Sequence, residues 1–125
     1  MLSERRCHAT LPVADLDKGR AFYEGVLGFK PFEVNPVAAL YEAGEGSKFA
    51  VTKSSGKAAG THTQLGFTVF DIEAEVADLK RRGVVFEEYD FPTLKTNDGV
   101  ATTGAGKAAW FLDPDGNMIG LIQFG

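Results

Sequence analysis

The side chains able to do chemistry are few, and they fall in three stretches of the 125-residue chain. Cys7 and His8 open an alternating run that reaches Val13; His62 and Gln64 open a second that reaches Val69. The third, "WFLDPDGNMIG", starts at Trp110, the only tryptophan, and ends at Gly120. An imidazole can act as a base, a hydrogen-bond partner or a metal ligand. An amide can orient a ligand or offer a weak carbonyl donor to a cation. His62 lies two residues before Gln64, so the two share a strand face. Cys7 alternates with His8 and falls on the opposite, helix-facing side, which argues against a catalytic thiol. Tyr23 and Tyr41 have no recognisable activating base. Glu87, Glu88 and Asp90 offer carboxylates, but nothing in their spacing assigns them a role. No Ser/His/Asp order, phosphate loop or zinc-type cysteine spacing is present. Gly120 puts a glycine inside a strand, which either weakens the strand or lets something approach its backbone.

The elements that must position these residues read as two similar halves. "LPVADLDKGRAFYEGVLGFKPFE" from Leu11 and "FTVFDIEAEVADLKRRGVVFEE" from Phe67 both run strand, Asp, amphipathic helix, Gly, strand. "GSKFAV" from Gly46 answers "GNMIGL" from Gly116. Asp15 and Asp71 stand where an N-cap acceptor satisfies free N–H groups. Glu73 and Glu75 begin the second helix and Lys80, Arg81 and Arg82 end it, as the helix dipole favours. Gly28 and Gly83 suit the left-handed residue after a helix end. Strands are expected near Cys7–Val13, Phe29–Val34, Val37–Tyr41, Lys48–Lys53, Thr63–Val69, Val84–Tyr89, Lys107–Leu112 and Met118–Phe124. The stretch from Pro92 to Gly106, rich in Gly and Thr, is expected to be a long loop, of the kind that serves as a lid or binding loop. The domain reading is one domain of two βαβββ modules: module 1 over about 5–54, a linker over about 55–62, and module 2 over about 63–125.

Net charge of -4 argues against a nucleic-acid partner, which needs clustered Lys and Arg. The one basic run, Lys80 to Arg82, is accounted for by the helix end. No apolar run approaches the ~18 residues of a membrane span, and no signal-peptide core follows "MLSERRC". One cysteine excludes an intrachain disulfide and fits a reducing, cytoplasmic setting.

The pieces "HATLPVADLDKGRAFYEGVLGF", "QLGFTVFDIEAEVADLKRRGVVF" and "WFLDPDGNMIGLIQF" together resemble the vicinal oxygen chelate superfamily, which includes glyoxalase I, extradiol dioxygenases, fosfomycin-resistance enzymes and bleomycin-binding proteins. The resemblance spans nearly the whole chain. It implies an α+β fold in which two βαβββ modules form a curled mixed sheet around a cavity, commonly completed by a homodimer. In metal-dependent relatives each opening strand supplies a His or Gln and a closing strand can supply Glu. His8 and Gln64 fill the opening positions, each seven residues before its helix-capping Asp. The closing positions fall on Ala50 and Gly120, where the family often places glutamate. A metal site here lacks its anionic ligand; His62 is the best rescue, joining His8 and Gln64.

The expectation is a cytoplasmic homodimer that binds a small aromatic or amphipathic ligand, a drug or metabolite, without a metal cofactor. His8, Thr10, Ala50, Gln64, Gly66, Trp110 and Gly120 would line the site. His8 and Gln64 would orient the ligand and Trp110 stack on it, strand parity allowing Trp110 or Phe111 to face the site but not both. The alternative is a lyase or isomerase of the glyoxalase kind, or a dioxygenase, using Zn, Ni, Fe or Mn on a substrate with vicinal oxygens. A structural hydrogen-bonding role for His8 and Gln64, and a non-binding interaction module, stay open at this point.

Overall fold

The computed structural model describes residues 1–58 and 60–125. By their contacts these fall into two compact units, Met1–Lys57 and Ala58–Gly125.

The first unit holds β1 (Ala9–Val13), α1 (Leu16–Arg20), β2 (Pro31–Asn35), β3 (Ala38–Glu42) and β4 (Lys48–Lys53), its sheet ordered β1-β4-β3-β2. The opening strand pairs in parallel with the closing strand; the remaining pairs are antiparallel. Asp15 caps α1 by accepting from the N–H groups of Asp17 and Lys18, and α1 runs on into a π-helical stretch, Ala21–Val26. Leu11, Val51 and Ala39 share one row and are fully buried. Val13 lies on the same face, and α1 seats there through Gly19, whose missing side chain would come within 3.2 Å of Val13. Removing each of Leu11, Val13 and Val51 from water contributes roughly 1.5–3 kcal/mol. Tyr23, Tyr41 and Phe49 complete this core, their ring centroids 5.2–6.0 Å apart.

The second unit holds β5 (Thr63–Thr68), α2 (Ile72–Arg81), β6 (Asp90–Phe91), β7 (Leu94–Asn97), β8 (Val100–Thr103), β9 (Gly106–Leu112) and β10 (Met118–Phe124), ordered β5-β10-β9-β8-β7-β6. Its opening and closing strands again pair in parallel. Asp71 caps α2 through the Ala74 N–H, and Gly28 and Gly83 both have positive φ, as the repeat requires. Ile72 and Val76 of α2 are buried, and the face it covers is set by two contacts: Lys107 pairs with Glu73 at 2.6 Å, and the Gln123 side chain accepts from the Ile72 N–H at 2.9 Å. Ile119, Leu121, Ala109 and Phe111 fall on that face and are buried. The fold is α+β, two mostly antiparallel sheets with few helices.

Three expectations need correction. The stretch from Pro92 to Gly106 is not a loop: it carries β7 and β8, joined by a tight turn at Asp98 and Gly99, both with positive φ. "NDGV" there is a two-residue hairpin signal that favours this turn over a loose connection. Val84–Tyr89 is not a full strand but a single bridge, Phe86 to Phe111, plus a bond from the Glu87 N–H to the Trp110 carbonyl. Cys7 lies before β1 and is exposed, not packed on the helix side.

Candidate functional site

The repeat is exact enough in register to align one row in each unit. In the first unit Thr10, Ala50, Leu40 and Glu33 stand side by side across β1, β4, β3 and β2. In the second Gly66, Gly120 and Trp110 are partners across β5, β10 and β9, and Glu87 follows opposite Trp110. Neighbours across a ladder put their side chains on one face. Both rows lie on the face turned away from the helix of their own unit, because the alternate residues, Leu11 and Val51 or Ile119 and Phe111, face the helix. Trp110 is therefore on the site face and Phe111 in the core, as strand parity requires. Thr10, Gly66 and Glu33 are exposed, Trp110 and Glu87 half-buried, and Ala50 and Gly120 buried.

β5 departs from the repeat at one place. Thr63 pairs with Met118 and Leu65 with Ile119, so Gln64 is an extra residue in a β-bulge. A bulge re-aims the side chains around it. Thr63, not Gln64, comes onto the row's face: a Cβ on Gly120 would stand 3.0 Å from the Thr63 methyl and 3.4 Å from Cδ1 of Trp110. The volume that a glutamate at Gly120 would fill is taken up by the Thr63 methyl and the edge of the indole.

Gln64 is committed to the turn between β9 and β10. Its amide donates to Asn117 Oδ1 at 3.0 Å and accepts from the Met118 N–H at 3.3 Å. Asn117, wholly buried, donates in turn to Asp113 Oδ2 at 2.7 Å, and Asp113 Oδ1 accepts from the N–H groups of Asp115 and Asn117. "DPDGN" is thus a closed hydrogen-bonded loop, and the Gln64 amide is part of it.

His8 is exposed and immediately precedes β1; His62 is exposed and immediately precedes β5. Among the described residues no three His, Cys, Asp or Glu side chains converge as a metal-ligand group. The structure brings Thr10 and Ala50 together in the first unit and Gly66, Gly120 and Trp110 together in the second.

Sequence reading missed the aromatic neighbours of Trp110. The Tyr89 ring meets the indole edge-to-face with centroids 5.7 Å apart, and Phe91, more than half exposed, stacks on Tyr89 at 6.1 Å. Tyr89 is fixed by Thr96, which bonds both its N–H and its carbonyl. Burial, and after it the Glu87 carboxylate, push the Tyr89 phenol above its ordinary value. The signal was present as alternation, since Glu87, Tyr89 and Phe91 recur at every second residue. The three carboxylates of this segment now separate. Thr96, and after it the Gly99 N–H from which Glu88 accepts at 2.7 Å, lowers the Glu88 pKa; Asp90 lies 4.0 Å from Lys95 in the open.

Residues 6–121 match the Glyoxalase/Bleomycin resistance protein/Dioxygenase superfamily. A comparison with curated protein sequences gives no match. Among solved structures, a glyoxalase/bleomycin resistance protein from Streptomyces sp. CB03234 is 29% identical, with 91% of this chain and 96% of that one covered and a TM-score of 0.65. TnmS3, an antibiotic binding protein from the same organism, is 25% identical over 96% and 98% of the two chains, with a TM-score of 0.66. The fosfomycin resistance protein FosX from Listeria monocytogenes, at 18% identity, 97% and 93% coverage and a TM-score of 0.71, shares the fold. The repeated strand-helix-strand order, the parallel pairing of each opening and closing strand, and the match over almost the whole length place this chain in the glyoxalase/bleomycin resistance protein/dioxygenase superfamily.

Proposed function

We propose that this protein binds a small aromatic or amphipathic molecule, a drug or metabolite, on the sheet face carrying Trp110, and does so without a metal, as a cytoplasmic homodimer. The observation that carries the reading is the half-exposed indole lying beside Gly66 and Gly120. Gly66, exposed and with no atom near the place of a side chain, leaves the row low one strand beyond Gly120, so that a ring on the indole meets no side chain there. The likeness to an antibiotic binding protein supports the same ligand class.

The donor set supports the metal-free reading. Ala50 and Gly120 offer no side-chain donor, and the amide oxygen of Gln64 already accepts from Met118. That leaves two imidazoles from the expected set, His8 and His62, both exposed and neither part of a group of three possible ligands among the described residues, which does not fit a resident divalent ion. Fully exposed Phe70 and largely exposed Phe124, just past the end of β5 and at the end of its partner β10, support a protein partner surface, for which a second copy is the simplest occupant.

Because Trp110 is the only tryptophan, its emission reports binding directly. Titration with planar aromatic compounds should quench or shift it saturably, and Trp110→Ala should weaken binding by about tenfold or more in calorimetry. Saturable binding that survives Trp110→Ala unchanged would place the ligand elsewhere. Elemental analysis should find no stoichiometric metal; catalytic turnover that a chelator abolishes and one metal restores would replace this reading with the lyase or dioxygenase one.

A further inference from the structure

Resting on that reading, we propose that the ligand is cationic: an aromatic compound bearing a protonated amine, its ring on Trp110 and its charge between Glu87 and Tyr89. Glu87 stands directly opposite Trp110 and shares its face; the backbone bond from the Glu87 N–H to the Trp110 carbonyl, 2.8 Å, fixes that register. Its carboxylate has no hydrogen bond and no ion pair among the described residues, although the side chain is half-buried. Glu88, Asp78, Glu73 and Glu24 are all engaged by donors of their own. A carboxylate with no cation of its own beside two aromatic rings is open to one that a ligand supplies.

The row gives the spacing. Adjacent strands lie about 4.8 Å apart, so Glu87 is about 10 Å from the Gly120 position, two strands away. It is too far to join donors at the β5–β10 junction, but about one fused ring system from it across the indole. Tyr89 and Trp110 present their rings beside it, edge-to-face, and aromatic faces attract cations most where water is partly excluded. Glu33 ends the matching row of the first unit, opposite Leu40; there the row has no aromatic residue and its glutamate is exposed.

The test compares matched pairs at mildly alkaline pH, where 9-aminoacridine is protonated and acridine is neutral, and where 2-naphthylmethylamine is set against 2-methylnaphthalene. Wild type should prefer each cation by about tenfold in calorimetry or equilibrium dialysis. Glu87→Gln, which keeps the backbone bond and the side-chain shape, should drop cation affinity to the neutral level and erase the preference. An unchanged unfolding midpoint and Trp110 emission spectrum in the free variant would show that its fold is retained. Equal binding within each pair by wild type, or a preference that persists in Glu87→Gln, overturns the charge proposal while leaving the aromatic site standing. Failure of all four compounds to bind overturns the aromatic reading and this proposal with it.

Discussion

Gly120→Ala isolates the crowding at the centre of the second row. The glycine has ordinary strand φ, so a side chain brings no backbone strain. Replacing a strand glycine by alanine should by itself gain about 0.5–1 kcal/mol, because glycine loses the most freedom on folding. Against that, the new Cβ would stand 3.0 Å from Thr63 Cγ2 and 3.3 Å from Thr63 Oγ1. Both branches of the threonine crowd the same point, so no rotation about its χ1 clears them together. Forcing Thr63 off its rotamer or shifting its backbone costs about 0.5–1.5 kcal/mol. The two effects nearly cancel, and Gly120→Ala should fall within about 0.5 kcal/mol of wild type. In a Thr63→Ala background both crowding atoms are gone, and the same substitution should stabilise by about 0.5–1 kcal/mol. The double-mutant cycle therefore carries a coupling of about 1 kcal/mol, a shift of about 4 °C in Tm for a chain of this size. Urea unfolding followed by Trp110 emission reads it on the unit concerned. Simple additivity would refute the reasoning, since it would mean that Thr63 does not occupy the vacated space. Gly120→Glu extends the test: its longer side chain must also displace the indole, should cost about 1–3 kcal/mol, and should not be rescued by Thr63→Ala.

Gln64→Ala should destabilise by about 1–2 kcal/mol in urea unfolding, because it leaves the buried Asn117 Oδ1 without this donor; an effect near zero would return Gln64 to the list of free, ligand-facing groups. Glu24 is held below its ordinary carboxylate pKa chiefly by Arg20, with Tyr41 adding a hydrogen bond at 2.9 Å and burial opposing both. The unfolded chain binds that proton more readily, so this stabilisation is present above the ordinary carboxylate range and is lost as pH falls through the lowered value. The stability gap between wild type and Glu24→Gln should therefore close on acidification, and a gap independent of pH would contradict it. Prolonged dialysis against EDTA should leave both the unfolding midpoint and ligand affinity unchanged; a falling midpoint would reveal a structural metal.

What was legible in the sequence is what local chemistry dictates. Asp15 and Asp71 cap because a short carboxylate before an amphipathic run has free N–H groups to accept from, and Gly28 and Gly83 end helices because only glycine takes positive φ there without cost. The face assignment of Trp110 and Phe111 followed from alternation alone. The failures have equally local causes. Pro92 to Gly106 looked like a loop because Gly and Thr dominate it, yet threonine is a good strand residue and Asp98-Gly99 is a hairpin turn. Val84–Tyr89 has strand composition but only one bridge, because after Glu87 the chain hands its pairing to Thr96 instead of continuing along β9. The bulge at Gln64 left no mark in composition or periodicity; it is a tertiary decision, made by the turn that claims the amide.

That bulge ties together features that look independent in the sequence. In a regular β5, Gln64 would stand opposite Met118 and share the row's face with Gly66, where its amide could reach a ligand. The extra residue instead gives that place to Thr63, sends the amide to Asn117 and Met118, and so holds the start of β10 in register. Thr63 then fills part of the space beside position 120, and the indole of Trp110 fills the rest. A glutamate at 120 would face a methyl group and an aromatic edge with no partner ligand within the row, an anion desolvated for nothing. Glycine there suits the way β5 is built, and the carboxylate that the row does keep, Glu87, sits beyond the indole, where the proposed organic cation would meet it.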